Sequence, residues 1–205
     1  MIWAVVLAAG ESRRMGQPKL LLPYGEMTII ETVVQNVVSS RVDGAVVVLG
    51  GDRREIEEKI RRFAVKRTVN LAYREGMLSS VRRGLSALPS SARAALFVLA
   101  DQPDIPASVI DSVVEAYLGG GKGIVLPVYK KKRGHPLIVD LKYRREIESL
   151  SPDVGLRGLI LEHKDDILEV RISSPSVLHD IDKPEDYERA RRVIRRRTRP
   201  QPGRV

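Results

Sequence analysis

The sequence predicts an α/β fold: a single three-layer α/β/α domain around a mostly parallel sheet. Three observations carry that expectation. Short, strongly apolar runs at 2–8, 45–49 and 94–100 alternate with helical segments over the first 120 residues, the βαβ pattern that gives right-handed crossovers and parallel strands. Each of those runs empties abruptly into glycine or a polar cluster, as buried strands do where they reach a ligand-binding edge. A length of 205 residues, with no internal repeat, linker or shift in composition, fits one domain with a sizeable core.

Taken in order, residues 2–8 form the first strand, ended by Gly10. Residues 20–23 lead to a turn at Gly25. Thr28 caps the next helix and Glu31, three residues on, completes a capping box. Ile29, Ile30, Val33, Val34, Val37 and Val38 supply that helix with its apolar face. Residues 45–49 are the second strand, stopped by Gly50-Gly51, and Asp52 caps a charged helix through Phe63 with Ile56 and Ile60 inward. Residues 67–71 read as a short third strand. A helix opens around residues 76–80 and runs to Leu88, 94–100 is the fourth strand, and Pro106 stands near the start of a helix that ends at Gly119-Gly120-Gly121. Beyond it come a strand at 124–128, a basic turn at 129–133 and a returning strand at 136–139. Helices at 143–150 and 155–162, short strands at 167–170 and 177–180, and a closing helix at 184–196 complete the chain.

Composition narrows the function classes. There is no cysteine, hence no disulfide framework and no thiolate nucleophile or metal site. With three histidines at no ligand-like spacing, zinc is not expected. The apolar opening run is too short, and too sharply ended, for a signal peptide or membrane span, so a cytoplasmic location is expected. The net charge of +9 is a property of the end of the chain. Residues 189–205 hold eight arginines and no acid, and taking those eight from the 35 lysines and arginines leaves 27 against 26 acidic residues. We expect a domain over 1–190 and a disordered arginine-rich tail over 191–205. The tail lacks interleaved aromatics, so nucleic acid is not the expected partner.

The chemistry collects at strand ends. After the first strand come Leu7-Ala8-Ala9-Gly10-Glu11-Ser12-Arg13-Arg14-Met15-Gly16-Gln17-Pro18-Lys19. Two glycines can take φ > 0 and bring backbone N–H groups to an anion, while Arg13, Arg14 and Lys19 bring the positive charge a triphosphate requires. The spacing matches neither a Walker A loop nor a dinucleotide fingerprint, and an ordinary strand-to-loop connection with solvated arginines is the alternative. Asp101, directly after a buried strand, suits Mg²⁺, which takes one or two carboxylates plus phosphate oxygens. It equally suits the capping of the next turn ahead of Pro103. Asp182, just before Pro184, reads as a second cleft acid or as an acid favourable at a helix N-terminus.

The first-loop signature resembles that of the MobA-like nucleotidyltransferases, most closely the branch that cytidylylates molybdenum cofactor. The likeness runs from Trp3 to about Ala190. It implies a Rossmann-like sheet of the nucleotide-diphospho-sugar transferase type. It assigns nucleotide binding to Leu7, Ala8, Ala9, Gly10, Ser12, Arg13, Arg14 and Lys19, with Asn70, Gly76, Met77, Ser79 and Ser80 around the base. Ser79 and Ser80 also read as helix caps. Leu99-Ala100-Asp101-Gln102-Pro103 and Asp180-Ile181-Asp182 resemble the metal-binding segments of the family, placing Mg²⁺, or Mn²⁺, on Asp101 and Asp182. Gly134, His135 and Pro136, with Asp153, Gly155 and Arg157, resemble its acceptor-side segments, although Pro152-Asp153 stands where Gly-Asp is usual and Lys183 where threonine is usual. Arg14, Lys19 and Asp101 are then the catalytic set.

What the resemblance implies is transfer of CMP from CTP to the phosphate of molybdopterin, with release of pyrophosphate. Ala9 favours cytidine by analogy, because the guanylyl branch shows glycine there. Open alternatives are a GTP-using guanylyltransferase, transfer to a sugar phosphate or phospholactate, and an idle nucleotide-sensing module. A molybdoenzyme maturation partner also follows from the resemblance; a membrane does not.

Overall fold

In a computed structural model, which describes residues 1–198, the opening apolar run becomes β1 (Ile2–Ala8) in the middle of the sheet. Two single 3₁₀ turns, Arg13–Met15 and Lys19–Leu21, follow it and carry the basic loop. A small antiparallel ribbon of β2 (Pro23–Tyr24) and β3 (Met27–Thr28), closed by Gly25 at φ 70°, leads into α1 (Ile29–Val38). The expected capping box is present. Glu31 donates its backbone N–H to the Thr28 hydroxyl, and its carboxylate accepts from the Thr28 N–H.

Next come β4 (Gly44–Leu49), α2 (Arg53–Ile60), β5 (Lys66–Val69), α3 (Met77–Ser86), β6 (Ala94–Leu99) and α4 (Ala107–Gly120). The α2 helix stops before the expected Phe63, and Asp52 holds its N-cap position without a capping hydrogen bond. The rest of the chain forms β7 (Ile124–Tyr129), β8 (Lys132–Arg133), β9 (Leu137–Asp140), α5 (Arg144–Ser149), α6 (Leu156–Glu162), β10 (Ile167–Arg171) and α7 (Pro184–Thr198).

The main sheet has the order β10-β7-β9-β6-β1-β4-β5, with β8 paired to β7. Pairing is parallel from β6 through β1 and β4 to β5, and between β7 and β10. Only β9 and β8 run antiparallel among these strands. The central strands β1, β4, β6 and β7 are buried on both faces, as a parallel sheet requires. One face carries Ala4, Val6, Val47, Leu96 and Val98 against α1, α2, α4 and α7; the other carries Val5, Val48 and Phe97 against α3, α5 and α6. The α3 helix lies so close that a Cβ on Gly84 would meet Val5 Cγ1 at 2.3 Å.

One further sequence expectation is corrected. Residues 177–180 do not make a strand: Pro175–Leu178 is a 3₁₀ turn, with Pro175 at its start and the Ser174 hydroxyl accepting from the Ser176 N–H. The closing helix, expected over 184–196, spans Pro184–Thr198. The remainder of the arginine-rich tail, 199–205, lies outside the described residues. Among the described residues no helix is long and apolar enough to cross a membrane.

Candidate active site

The carboxyl ends of β1 and β6 open onto a cleft of about 460 Å³, a size ordinary for small-molecule sites. Its lining combines the uncharged Leu7, Ala9, Gly10, Tyr73, Gly76, Met77 and Ser80 with the charged Glu11, Arg13, Arg14, Lys19, Arg74, Asp101, Asp180 and Asp182. The first set is apolar or uncharged and suits a base and sugar. The second is a dense array of charge.

Lys19 is the centre of that array. Its ammonium donates to Asp101 Oδ2 at 2.6 Å and to Asp182 Oδ1 at 2.9 Å, from a side chain only 13% exposed. Arg14 reaches Asp182 Oδ2 at 2.8 Å. Burial works against the Lys19 charge, but the two carboxylates outweigh it and raise the ammonium above its ordinary range. Burial likewise works against the charge of Asp182, and Lys19 and Arg14 reverse that, holding its carboxyl below the usual range. Asp180 goes the other way: desolvation, reinforced by the charges of Asp182 and Asp101, raises it.

The backbone explains how residues so distant in sequence converge. The Ser12 hydroxyl accepts from the Lys19 N–H at 3.2 Å, folding the basic loop back on itself. Ile181 N–H donates to the Asp101 carbonyl at 3.0 Å, fastening the 180–182 segment to the end of β6. Of the two loop glycines only Gly16 has a positive φ, 66°; Ser12, at φ 52°, takes the other left-handed position, and Gly10 leaves open space where its side chain would stand. Ala9 lies against Gly50, where a Cβ would come within 2.3 Å of the Ala9 carbonyl oxygen and 2.8 Å of its methyl.

The donor set fits a divalent cation. Asp101 Oδ1 is buried without a hydrogen-bond partner, facing the chemistry that Mg²⁺ satisfies with one or two carboxylates and substrate phosphate oxygens. Among the described residues no group of three or more His, Cys, Asp or Glu side chains is arranged to hold a metal. Asp101 and Asp182 therefore offer a partial shell that a nucleotide would have to complete.

Twelve of the expected residues meet in this cleft: Leu7, Ala9, Gly10, Ser12, Arg13, Arg14, Lys19, Gly76, Met77, Ser80, Asp101 and Asp182. Ala8 is buried in the core beneath it. Asn70 and Ser79 stand behind it. The Asn70 amide donates to Ser79 and Ser80 at 2.8 and 3.0 Å and accepts from the Ala72 N–H, so it shapes the turn into α3. Gly134, His135 and Pro136 are not in the cleft wall; they pack beside it, with His135 N–H donating to the Val177 carbonyl and burial lowering the imidazole pKa. Asp153 and Gly155 lie in the loop before α6 and Arg157 in its first turn, all outside the cleft lining, with Asp153 and Arg157 exposed.

Sequence reasoning missed Glu11, Tyr73 and Arg74. Glu11 accepts from Arg13 at 2.8 Å, from the Tyr73 hydroxyl at 2.9 Å and from Arg74 at 2.9 Å, and its carboxyl falls to about 2 through those bonds. It ties the first loop to the turn before α3 across the cleft mouth. The available signal was weak: one acid among the cations of the loop, and a Tyr-Arg pair between Asn70 and Gly76.

A βαβ sheet whose switch-side cleft holds a basic loop and paired aspartates defines a nucleotide-using transferase. The chain belongs to the family of the MobA-like NTP transferase domain, matched over residues 4–167, and is a nucleotidyltransferase. Among curated relatives it is 28% identical to the molybdenum cofactor cytidylyltransferase of Escherichia coli K12, over 89% of this chain and 92% of that one. It is 27% identical to the nicotine blue oxidoreductase of Paenarthrobacter nicotinovorans, over 92% and 95%. Its fold superposes on a solved nucleotidyl transferase from Methanothermobacter with a TM-score of 0.83 at 27% identity, covering 97% and 99% of the two chains.

Proposed function

We propose that the enzyme transfers CMP from CTP to the terminal phosphate of molybdopterin, releasing pyrophosphate. The observation that carries the choice of base is Ala9. Ala9 belongs to the cleft lining and is nearly buried, with its methyl packed close to Gly50. Alanine where the guanylyl branch has glycine leaves less room at that wall, which favours a pyrimidine. The likeness to the cytidylyltransferase of E. coli supports the same choice.

The mechanism follows from charge. The acceptor phosphate monoester has a second pKa near 6 and is largely dianionic at neutral pH, so attack on the α-phosphorus requires no general base. One P–O bond forms from acceptor oxygen to α-phosphorus as the α–β P–O bond breaks, and the bonding pair leaves with pyrophosphate. Arg13, Arg14 and Lys19 bind and orient the triphosphate and neutralise the leaving group. A divalent cation on Asp101 and Asp182, Mg²⁺ with Mn²⁺ as substitute, would supply further neutralisation at the phosphate oxygens. The Gly134-His135-Pro136 segment, beside Asp101, is the side from which the acceptor enters.

Pairing each of CTP and GTP with molybdopterin, and recording pyrophosphate release, tests the reading. Turnover with CTP and molybdopterin supports it; turnover only with another phosphorylated acceptor would replace the acceptor and leave nucleotidyl transfer standing.

A further inference from the structure

The β7–β8 hairpin is closed by two lysines in a conformation that lysine disfavours. Lys130 and Lys131 form the two-residue loop, with φ 47° and 66°. Of the two-residue hairpin loops that twist correctly, type I′ requires positive φ at both central positions, and Asn-Gly is the sequence that adopts it readily. A bulky residue there costs backbone energy, and strain kept at an exposed tip points to a use for the side chains.

Those side chains belong to a wider patch. Lys130, Lys131, Lys132 and Arg133 are all exposed, and Arg171, at the end of the neighbouring β10, is exposed beside them. The one acid in this surface, Glu169, is already paired with Arg133 at 2.8 Å. A hollow lined by Tyr129, Lys130, Lys131, Glu169, Arg171 and Ile172 lies between hairpin and strand end. Because β7 runs parallel to β6 with only β9 between them, the patch is at the same sheet edge as Asp101. At about 4.8 Å per strand the offset is about 10 Å. It lies on the side of Gly134-His135-Pro136, away from the nucleotide loop.

We propose that this hairpin and the end of β10 are a docking surface for an acidic segment of a partner protein. The excess of unpaired cations gives the complementarity and steering such a contact uses. A small phosphate ligand would call for converging, partly buried donors, and these lysines are exposed. Nucleic acid would call for a free stacking face, yet the Tyr129 ring is covered by Lys130, whose ammonium is 5.3 Å from its centroid. That the partner brings the acceptor or takes the product rests on the transfer reading above; the docking itself does not.

The test uses the full chain and the double variant Lys130→Asn/Lys131→Gly, whose loop fits the backbone better than the native one. A fluorescent twelve-residue peptide rich in Asp and Glu serves as probe, with anisotropy read at ~50 mM salt, where surface charge is least screened. The expected result is saturable binding to the native chain, weakened about tenfold or more in the variant, with turnover of CTP unchanged. Equal binding by the two proteins, or none to the native chain, overturns the proposal. So does displacement of the peptide by inorganic phosphate at equal charge, or tighter binding of a single-stranded oligonucleotide that the variant also loses. Unchanged docking data beside absent CTP turnover would fault the transfer reading instead.

Discussion

Lys19 bridges Asp101 and Asp182 from a nearly buried position, so its removal acts on both catalysis and stability. We predict that Lys19→Ala lowers kcat/KM by about 2–4 kcal/mol, the size of one preorganised charge. It should also lower the melting temperature, since Asp101 then loses its counter-charge and Asp182 keeps only Arg14. Lys19→Ala/Asp182→Asn should recover the melting temperature and not the activity, which separates the two roles in one denaturation and one kinetic measurement. Asp101→Ala should abolish turnover with the fold intact, because Asp101 ends a strand at the cleft and lies outside the apolar core; an unfolded variant in circular dichroism would contradict that. At this scale the sequence was readable where chemistry is local to a strand end, as at Asp101 and Lys19. It named Asn70 for the base but gave no sign that its amide is engaged by Ser79, Ser80 and Ala72, and it was silent on Glu11, whose partners Tyr73 and Arg74 lie some sixty residues away.

Elements were legible where pattern and punctuation agreed. The β1 run and the Thr28–Glu31 box needed only local information, and both appear as expected. Val177 and Leu178 suggest a strand ending at Asp180, yet Ser174 and Pro175 turn the chain first. Two predictions belong here. Lys130→Asn/Lys131→Gly should stabilise the protein by about 1 kcal/mol, relieving two left-handed lysines, seen as a higher urea midpoint. The second concerns the turn after α6, where Asp166 accepts from Tyr143 and pairs with Lys142 at 2.7 Å. Partial burial raises the Asp166 carboxyl, but these partners outweigh it and bring the pKa from 3.8 to about 2. A depressed folded pKa contributes stability that is present above the unfolded value and lost as pH falls through the folded one. Stability should therefore drop as pH falls from about 3.8 to about 2, with Asp166→Asn flattening that limb of the denaturation profile.

At the scale of the molecule, the alternation of strands and helices was enough to expect the parallel half of the sheet and the edge where the site lies. It could not show that β9 returns antiparallel between β6 and β7, because strand order is set by long-range packing and not by periodicity. That inserted strand separates the loop after β1 from the β7–β8 hairpin along one sheet edge. On the proposed reading this edge makes a cytidine dinucleotide. The direct measurement is kcat/KM for CTP and for GTP with molybdopterin, in the native chain and in Ala9→Gly. A single methyl in the base pocket predicts a CTP preference of about 10- to 200-fold, relaxed but not reversed in the variant. A native preference for GTP would contradict the claim.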